Sequence, residues 1–304
     1  MPQDHCQRPC PIGRLAAPFV GPVRHPIVGP GHVRRRSFPI RIVSFSISVQ
    51  SVTRPPSDAA STPGAAGQPG GSTEVVAIDG PSGAGKSTVA RLLAQKLDYQ
   101  YLDTGAMYRA ITWHLLQSGC APAECAGDAD QGHARMRAAL AEARLDVRPG
   151  RYLLHGRDVT AHLRTREVES QVSAVSALPF VRGAMRDLQR AVAAGGRIVA
   201  EGRDMGSVVF PEARWKVYLD AAPGERARRR SRDFASQGRQ VDETLVLEEI
   251  NVRDRLDSTR SDAPLRRAPD ALYVDTTGLT TEAVVERLLA FVRTGARALP
   301  REAR

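Results

Sequence analysis

The sequence predicts an α/β fold: a five-stranded, parallel, doubly wound sheet with a smaller α+β lobe inserted into it. Three observations carry that expectation. Short apolar runs recur from residue 74 onward, and patterns of helical period fill most of the gaps between them. One gap, between the second and third runs, holds about ninety residues, far more than a single crossover helix needs.

Taken in order, the first run is "EVVAID" (74–79), followed by a glycine-rich loop and a helical pattern over 86–97. The second is "YQYLD" (99–103), followed by a helix over 106–117. In the long gap, "RLDVRPGRYLLHGRDVTAHL" (144–163) holds two alternating runs around Pro149-Gly150, a hairpin signal, and helical "TREVESQVSAVSAL" comes next. A helix over 180–193 leads to "RIVAEG" (197–202), then "WKVYLD" (215–220), "ALYVD" (271–275) and a last helix over 281–293. Apolar strands without polar alternation, separated by helices, indicate a parallel sheet covered on both faces.

The chain is 42% hydrophobic, ordinary for a globular protein, and no apolar run reaches the ~18 residues that cross a bilayer. Its four cysteines (Cys6, Cys10, Cys120, Cys125) have no histidines at zinc-finger spacing and read as free thiols. The net charge is +10. Residues 1–72 carry eight arginines against two acids, with "PPSDAASTPGAAGQPGGS" as linker composition and "PIRIVSFSISVQSV" (39–52) as one strand-like stretch. A transit peptide or a nucleic-acid arm is weighed for this segment. The favoured expectation is a disordered Arg/Pro-rich extension, or a leader from a start set too far upstream.

Gly80-Pro81-Ser82-Gly83-Ala84-Gly85-Lys86-Ser87, followed by Thr88, fits the phosphate-binding pattern G-x-x-x-x-G-K-[ST] without mismatch. Glycines let the backbone wrap an anion, and the helix that follows adds the positive end of its dipole. Lys86 is expected to reach the β- and γ-phosphates of ATP, and Ser87 to ligate Mg²⁺. Glu201 and Asp103 end strands at the sheet edge where ligands collect. Glu201 is the better candidate for orienting metal-bound water, and a structural ion pair is the alternative for either.

Arg109 in "DTGAMYR", Arg203 in "EGRDMG" and Arg260 in "RDRLDSTR" read together as a clamp for a second phosphate. The segment "PGERARRRSRDFASQGRQ" (223–240) offers Arg226, Arg229, Arg230 and Arg232 for a lid that closes over the triphosphate. A solvated basic helix or an RNA-binding patch is the alternative, although only Phe234 is available for base stacking.

With "AIDGPSGAGKST", "YLDTGAMYRA", "EGRDMGSVVFP" and "RDRLDSTRSDAPL" in that order, residues 74–295 resemble bacterial cytidylate kinase, within the nucleoside monophosphate kinases. The resemblance implies a five-stranded P-loop kinase core within 73–304, a nucleotide-monophosphate (NMP)-binding insert over about 120–182 and a short lid over about 225–242. It implies that Thr104, Arg182 and Asp204 read cytosine. Ser173, with Ser176 as the alternative, would stand with Arg253 and Asp257 around the sugar. Arg109, Arg203 and Arg260 would hold the acceptor phosphate, and Tyr108 would line the same pocket.

The reading is therefore transfer of the γ-phosphoryl group of ATP to CMP or dCMP, with Lys86, Arg203 and Arg260 catalytic and Mg²⁺ required. A cytoplasmic monomer, with no membrane and no obligate nucleic-acid partner, is expected. Its rivals are a P-loop kinase for another acceptor and a nucleotide-dependent RNA-binding protein.

Overall fold

The structure, a computed structural model, describes residues 44–46, 74–120, 129–194, 196–236 and 238–295. A short strand β1 (Ser44–Ser46) precedes the sheet domain. β2 (Glu74–Asp79) leads through the glycine loop into α1 (Lys86–Leu97). β3 (Gln100–Asp103) leads into α2 (Thr104–Gln117). The insert follows: α3 (Ala129–Glu142), β4 (Arg144–Arg148), β5 (Arg151–Leu154), β6 (Arg157–Asp158), α4 (Arg166–Ala177) and α5 (Pro179–Ala193). The chain then rejoins the sheet with β7 (Arg197–Glu201) and β8 (Trp215–Asp220). A helical pair, α6 (Pro223–Ser236) and α7 (Glu243–Thr259), precedes β9 (Leu272–Asp275) and α8 (Thr281–Thr294).

The five main strands are all parallel, in the order β3-β7-β2-β8-β9. β2 is buried on both faces, which explains its continuous apolar run. Val75 and Ala77 face one layer, with Ile198 and Ala200 of β7 and Met107 and Ile111 of α2. Val76 and Ile78 face the other, with Val89 and Leu93 of α1 and Val285 and Leu288 of α8. Helix ends follow local chemistry. The Asp103 carboxylate caps α2 by accepting from Ala106 N, Thr280 caps α8 by accepting from Ala283 N, and Gly295 (φ 70°) ends α8.

The inserted lobe is not cored separately. Leu140, Leu145, Leu154, Met185 and Leu188 belong to the same buried cluster as β2 and α2, so lobe and sheet share one core. Its antiparallel sheet has the order β1-β4-β5-β6 and turns at Gly150 (φ 69°), where the hairpin signal lay. β1 falls within the strand-like stretch 39–52 and pairs with β4, Ser44 opposite Asp146. The remainder of 1–72, and Cys6, Cys10 and Cys125, lie outside the described residues; Cys120 is a buried free thiol.

The strand register sets the site. Glu201 stands opposite both Ile78 and Asp103, so the carboxyl ends of β2, β3 and β7 bring Asp79, Asp103 and Glu201 to one edge. The glycine loop leaves β2 there, flanked by β7 and β8. Crevices at such edges collect ligands.

Candidate active site

The loop after β2 adopts a shape that only glycine permits at its first turn. Gly80 has φ 148°, and a Cβ there would lie 1.9 Å from Leu219 O. The loop is braced from behind. Arg226 donates from Nε to Ala221 O (2.9 Å), from Nη1 to Ser82 O (3.0 Å), and to the Asp254 carboxylate. Asp254 in turn accepts from Ser82 N at 3.3 Å. Arg226 was expected over the triphosphate as part of a lid; its guanidinium is buried behind the loop instead, tying α6 and α7 to Ser82. In front, the buried Lys86 donates from Nζ to Pro81 O at 2.6 Å. Burial, and then the neighbouring charge of Arg203, pulls its ammonium well below the usual lysine range.

Two carboxylates, Glu201 and Asp103, stand side by side at the strand ends, with Lys86 near Glu201. Glu201 is buried, accepts from Tyr101 Oη at 2.5 Å, and is hydrogen-bonded by Ser87. Burial, and then Asp103, raises its pKa. Oxygen donors that repel one another next to Ser87 are the donor set a hard divalent cation favours. Among the described residues no cluster of three or more His, Cys, Asp or Glu is placed to hold a metal by itself, so water and phosphate oxygens would complete any such shell. Thr104 donates its hydroxyl to Glu201 O at 2.6 Å, which fixes the start of α2 against β7.

The segment after β7 is anchored by a residue that sequence reading passed over. Asp79, fully buried at the end of β2, accepts from Met205 N (2.7 Å) and Gly206 N (2.8 Å). Burial pushes this carboxyl up to about 7 against the pull of those two N–H groups. The anchor holds the turn of π-helix Met205–Val209 and so aims Arg203 and Asp204 into the site. Asp79→Asn would set an amide N–H₂ against one of the two backbone donors. We expect a loss of about 1–3 kcal/mol in chemical denaturation, the cost of an unmade buried hydrogen bond. Unchanged stability would remove Asp79 as the anchor.

Two adjoining cavities meet at the loop. The smaller, about 140 Å³, is walled by residues named from sequence: Thr104, Tyr108, Arg109, Arg182, Arg203, Asp204, Arg253, Asp257 and Arg260. Of the serine alternatives, Ser176 lines it; Ser173, about one helical turn earlier, does not. Arg182 and Asp204 are ion-paired and almost fully buried, and the Arg182 guanidinium lies 5.8 Å from the Tyr108 ring centre. Arg203 donates from Nε to Asp257 at 2.9 Å, and Arg260 approaches Asp257 (3.6 Å) and Asp204 (3.9 Å). Cations outweigh anions here. Burial, and then Arg203 and Arg109, holds the Arg253 guanidinium down at about 9; burial and Arg182 lower Arg260 as well. Such crowding is relieved by an incoming anion.

The larger cavity, about 730 Å³, is walled by Gly83 to Thr88, by Arg229, Arg230 and Arg232 of α6, and by Thr276, Leu279, Thr280 and Thr281 after β9. Arg229 is pinned by Glu225 and by both the hydroxyl and the carbonyl of Thr276. Gly83, Lys86, Ser87, Arg164 and Arg230 line both cavities, so the two share a wall at the loop.

Four residues that sequence reading missed also shape the site: Tyr101 on Glu201, Asp254 behind the loop, Arg164 on the shared wall, and Glu169. Glu169 accepts from Arg109 Nε (2.9 Å) and Arg230 Nη2 (3.2 Å). Burial raises its carboxyl, but Arg109, then Arg230 and Arg253, outweigh burial and hold it at about 2.

Comparisons with known proteins identify the family. A family model described as "Cytidylate kinase" matches residues 76–294. The chain is 48% identical over 221 residues to "Cytidylate kinase" of Carboxydothermus hydrogenoformans, covering 71% of this chain and 96% of that protein. It is 45% identical over 220 residues to "Cytidylate kinase" of Mycobacterium leprae, covering 72% and 95%. It is 47% identical over 229 residues to "Bifunctional pantoate ligase/cytidylate kinase" of Synechococcus elongatus, covering 73% of this chain and 42% of that longer protein. No helix among the described residues is long and apolar enough to cross a membrane. With a family model over most of its length and relatives at 45–48% identity, the chain belongs to the cytidylate kinase family.

Proposed function

We propose that this chain transfers the γ-phosphoryl group of ATP to CMP or dCMP, giving ADP and CDP or dCDP. The observation that carries the reading is the shared wall: Lys86, Ser87 and Gly83 face two cavities at once, one rich in loop amides and one rich in arginines. A triphosphate in the larger cavity and a monophosphate in the smaller would meet tip to tip there. Phosphoryl transfer asks a protein mainly for alignment and for stabilisation of spreading negative charge. Lys86 and the guanidinium groups of Arg203 and Arg260 supply that charge, and Arg109, Arg203 and Arg260 hold the acceptor phosphate.

Asp204 accepts from the cytosine amino group while Arg182 donates to ring acceptors. Thr104 and Tyr108 shape the base pocket, and Ser176, the serine that lines this cavity, stands with Arg253 and Asp257 around the sugar. Arg229, Arg230 and Arg232 close on the triphosphate, and water is thereby kept from the γ-phosphorus. Mg²⁺ would be held by Ser87 and, through water, by Glu201; when bound it neutralises β- and γ-phosphate charge.

ADP release measured across CMP, dCMP, UMP, AMP and small alcohols tests the reading. CMP or dCMP should lead UMP by at least about tenfold in kcat/KM, as a hydrogen-bonding pocket discriminates. A preference for another acceptor would overturn the substrate assignment. ADP release independent of any acceptor would overturn the kinase reading.

A further inference from the structure

Glu169 is the one acid on α4 that reaches the arginines of the acceptor cavity. Its carboxylate touches guanidinium groups from three elements: Arg109 of α2, Arg230 of α6 and, at 4.0 Å, Arg253 of α7. Those three arginines line the smaller cavity, whereas Glu169 lines the larger one, so the carboxylate sits at the boundary between them. It is half-buried, with 19% of its side chain exposed, and its two oxygens serve different arginines: one accepts from Arg109, the other from Arg230. Each guanidinium gives one nitrogen to one carboxylate oxygen, contacts of the kind that phosphate oxygens also accept.

We propose that Glu169 is a built-in counter-anion of these arginines, displaced by the acceptor's phosphate, and that it raises the concentration at which any phosphate enters, so that only a ligand with further contacts fills the site at low concentration. The proposal rests on the kinase reading above. A free phosphate that enters exchanges one anion for another and gains little. A nucleotide makes the same exchange and gains its base and sugar contacts as well, so only it displaces the carboxylate at low concentration. The threshold rises for both ligands, and only the nucleotide has further contacts with which to meet it. Because Arg230 belongs to α6, the same exchange frees a guanidinium on the helix that borders the triphosphate.

Titration calorimetry of the full chain with inorganic phosphate, and separately with CMP, tests this in the wild type and in Glu169→Gln. Without the competing charge, phosphate should bind about tenfold tighter or more. CMP should also tighten, by a similar factor, because both ligands displace the same carboxylate. Phosphate binding that is unchanged or weaker in Glu169→Gln would overturn the proposal and leave Glu169 as a strut that merely positions the arginines. Glu169→Asp, which withdraws the carboxylate by one methylene, guards against misfolding. It should give a smaller tightening of phosphate, and a folded Glu169→Asp that binds phosphate no better than wild type counts against the proposal. CMP-dependent ADP release by the wild type is measured alongside; its absence would overturn the proposed function rather than the role of Glu169.

Discussion

Lys86→Ala loses about 10²–10³-fold in kcat, the usual consequence of removing one preorganised charge from a transition state. Its fold should survive, because the Lys86 ammonium makes one hydrogen bond, to Pro81 O in its own loop, while the loop itself is braced by Arg226 and Asp254. The surroundings of Lys86 also argue for a charge role: burial, and then Arg203, hold its ammonium below the usual lysine range, while Glu201 pulls the other way. The sign of the accompanying proton change follows. A lysine lowered in the free protein regains its proton when phosphate binds, so ATP binding above neutral pH should take up protons from buffer. Calorimetry in buffers of different ionisation enthalpy reads this uptake, and Lys86→Ala should abolish it. Near-normal turnover in Lys86→Ala would contradict the assigned role.

Asp204→Ala should lower kcat/KM for CMP by about 10²-fold while ATP binding changes little. Two effects add. The cytosine amino group loses its acceptor, and Arg182 loses the buried carboxylate that holds it. Asp204→Asn separates them, since an amide can rotate to present a donor. That variant should narrow the gap between CMP and UMP, because uracil carries an acceptor where cytosine has its amino group. Comparison of kcat/KM for both acceptors in both variants is the check. An unchanged CMP/UMP ratio in each would take Asp204 out of base selection.

Much of the fold was legible because its signals are local. The five apolar runs became the five strands with ends within one residue; the central β2, β7 and β8 are buried over most of their length, which keeps them apolar, while the edge strands β3 and β9 are only partly buried. Gly80 to Ser87 read as a phosphate loop from spacing alone, and the hairpin followed from Pro149-Gly150. What escaped notice depends on distant partners. Asp79 meets Met205, 126 residues away; Asp254 meets Ser82, 172 away; Glu169 meets Arg109, 60 away. No local pattern marks such pairs. Asp79 did carry a usable signal, because an acid that ends a buried strand needs donors from a neighbouring loop. Arg226 shows the reverse. It sits in a run of arginines that looks uniformly solvent-facing, yet helical geometry turns only some of them toward the ligand side.

The most direct measurement is a crystal structure with CMP and a non-hydrolysable ATP analogue bound together. The acceptor's phosphate oxygen should stand about 3–3.5 Å from the γ-phosphorus, in line with the bond to be broken, with Lys86 and Arg203 on the oxygens between them. A closed structure with both nucleotides seated, yet with that oxygen far from the γ-phosphorus or off its axis, would contradict direct transfer across the shared wall.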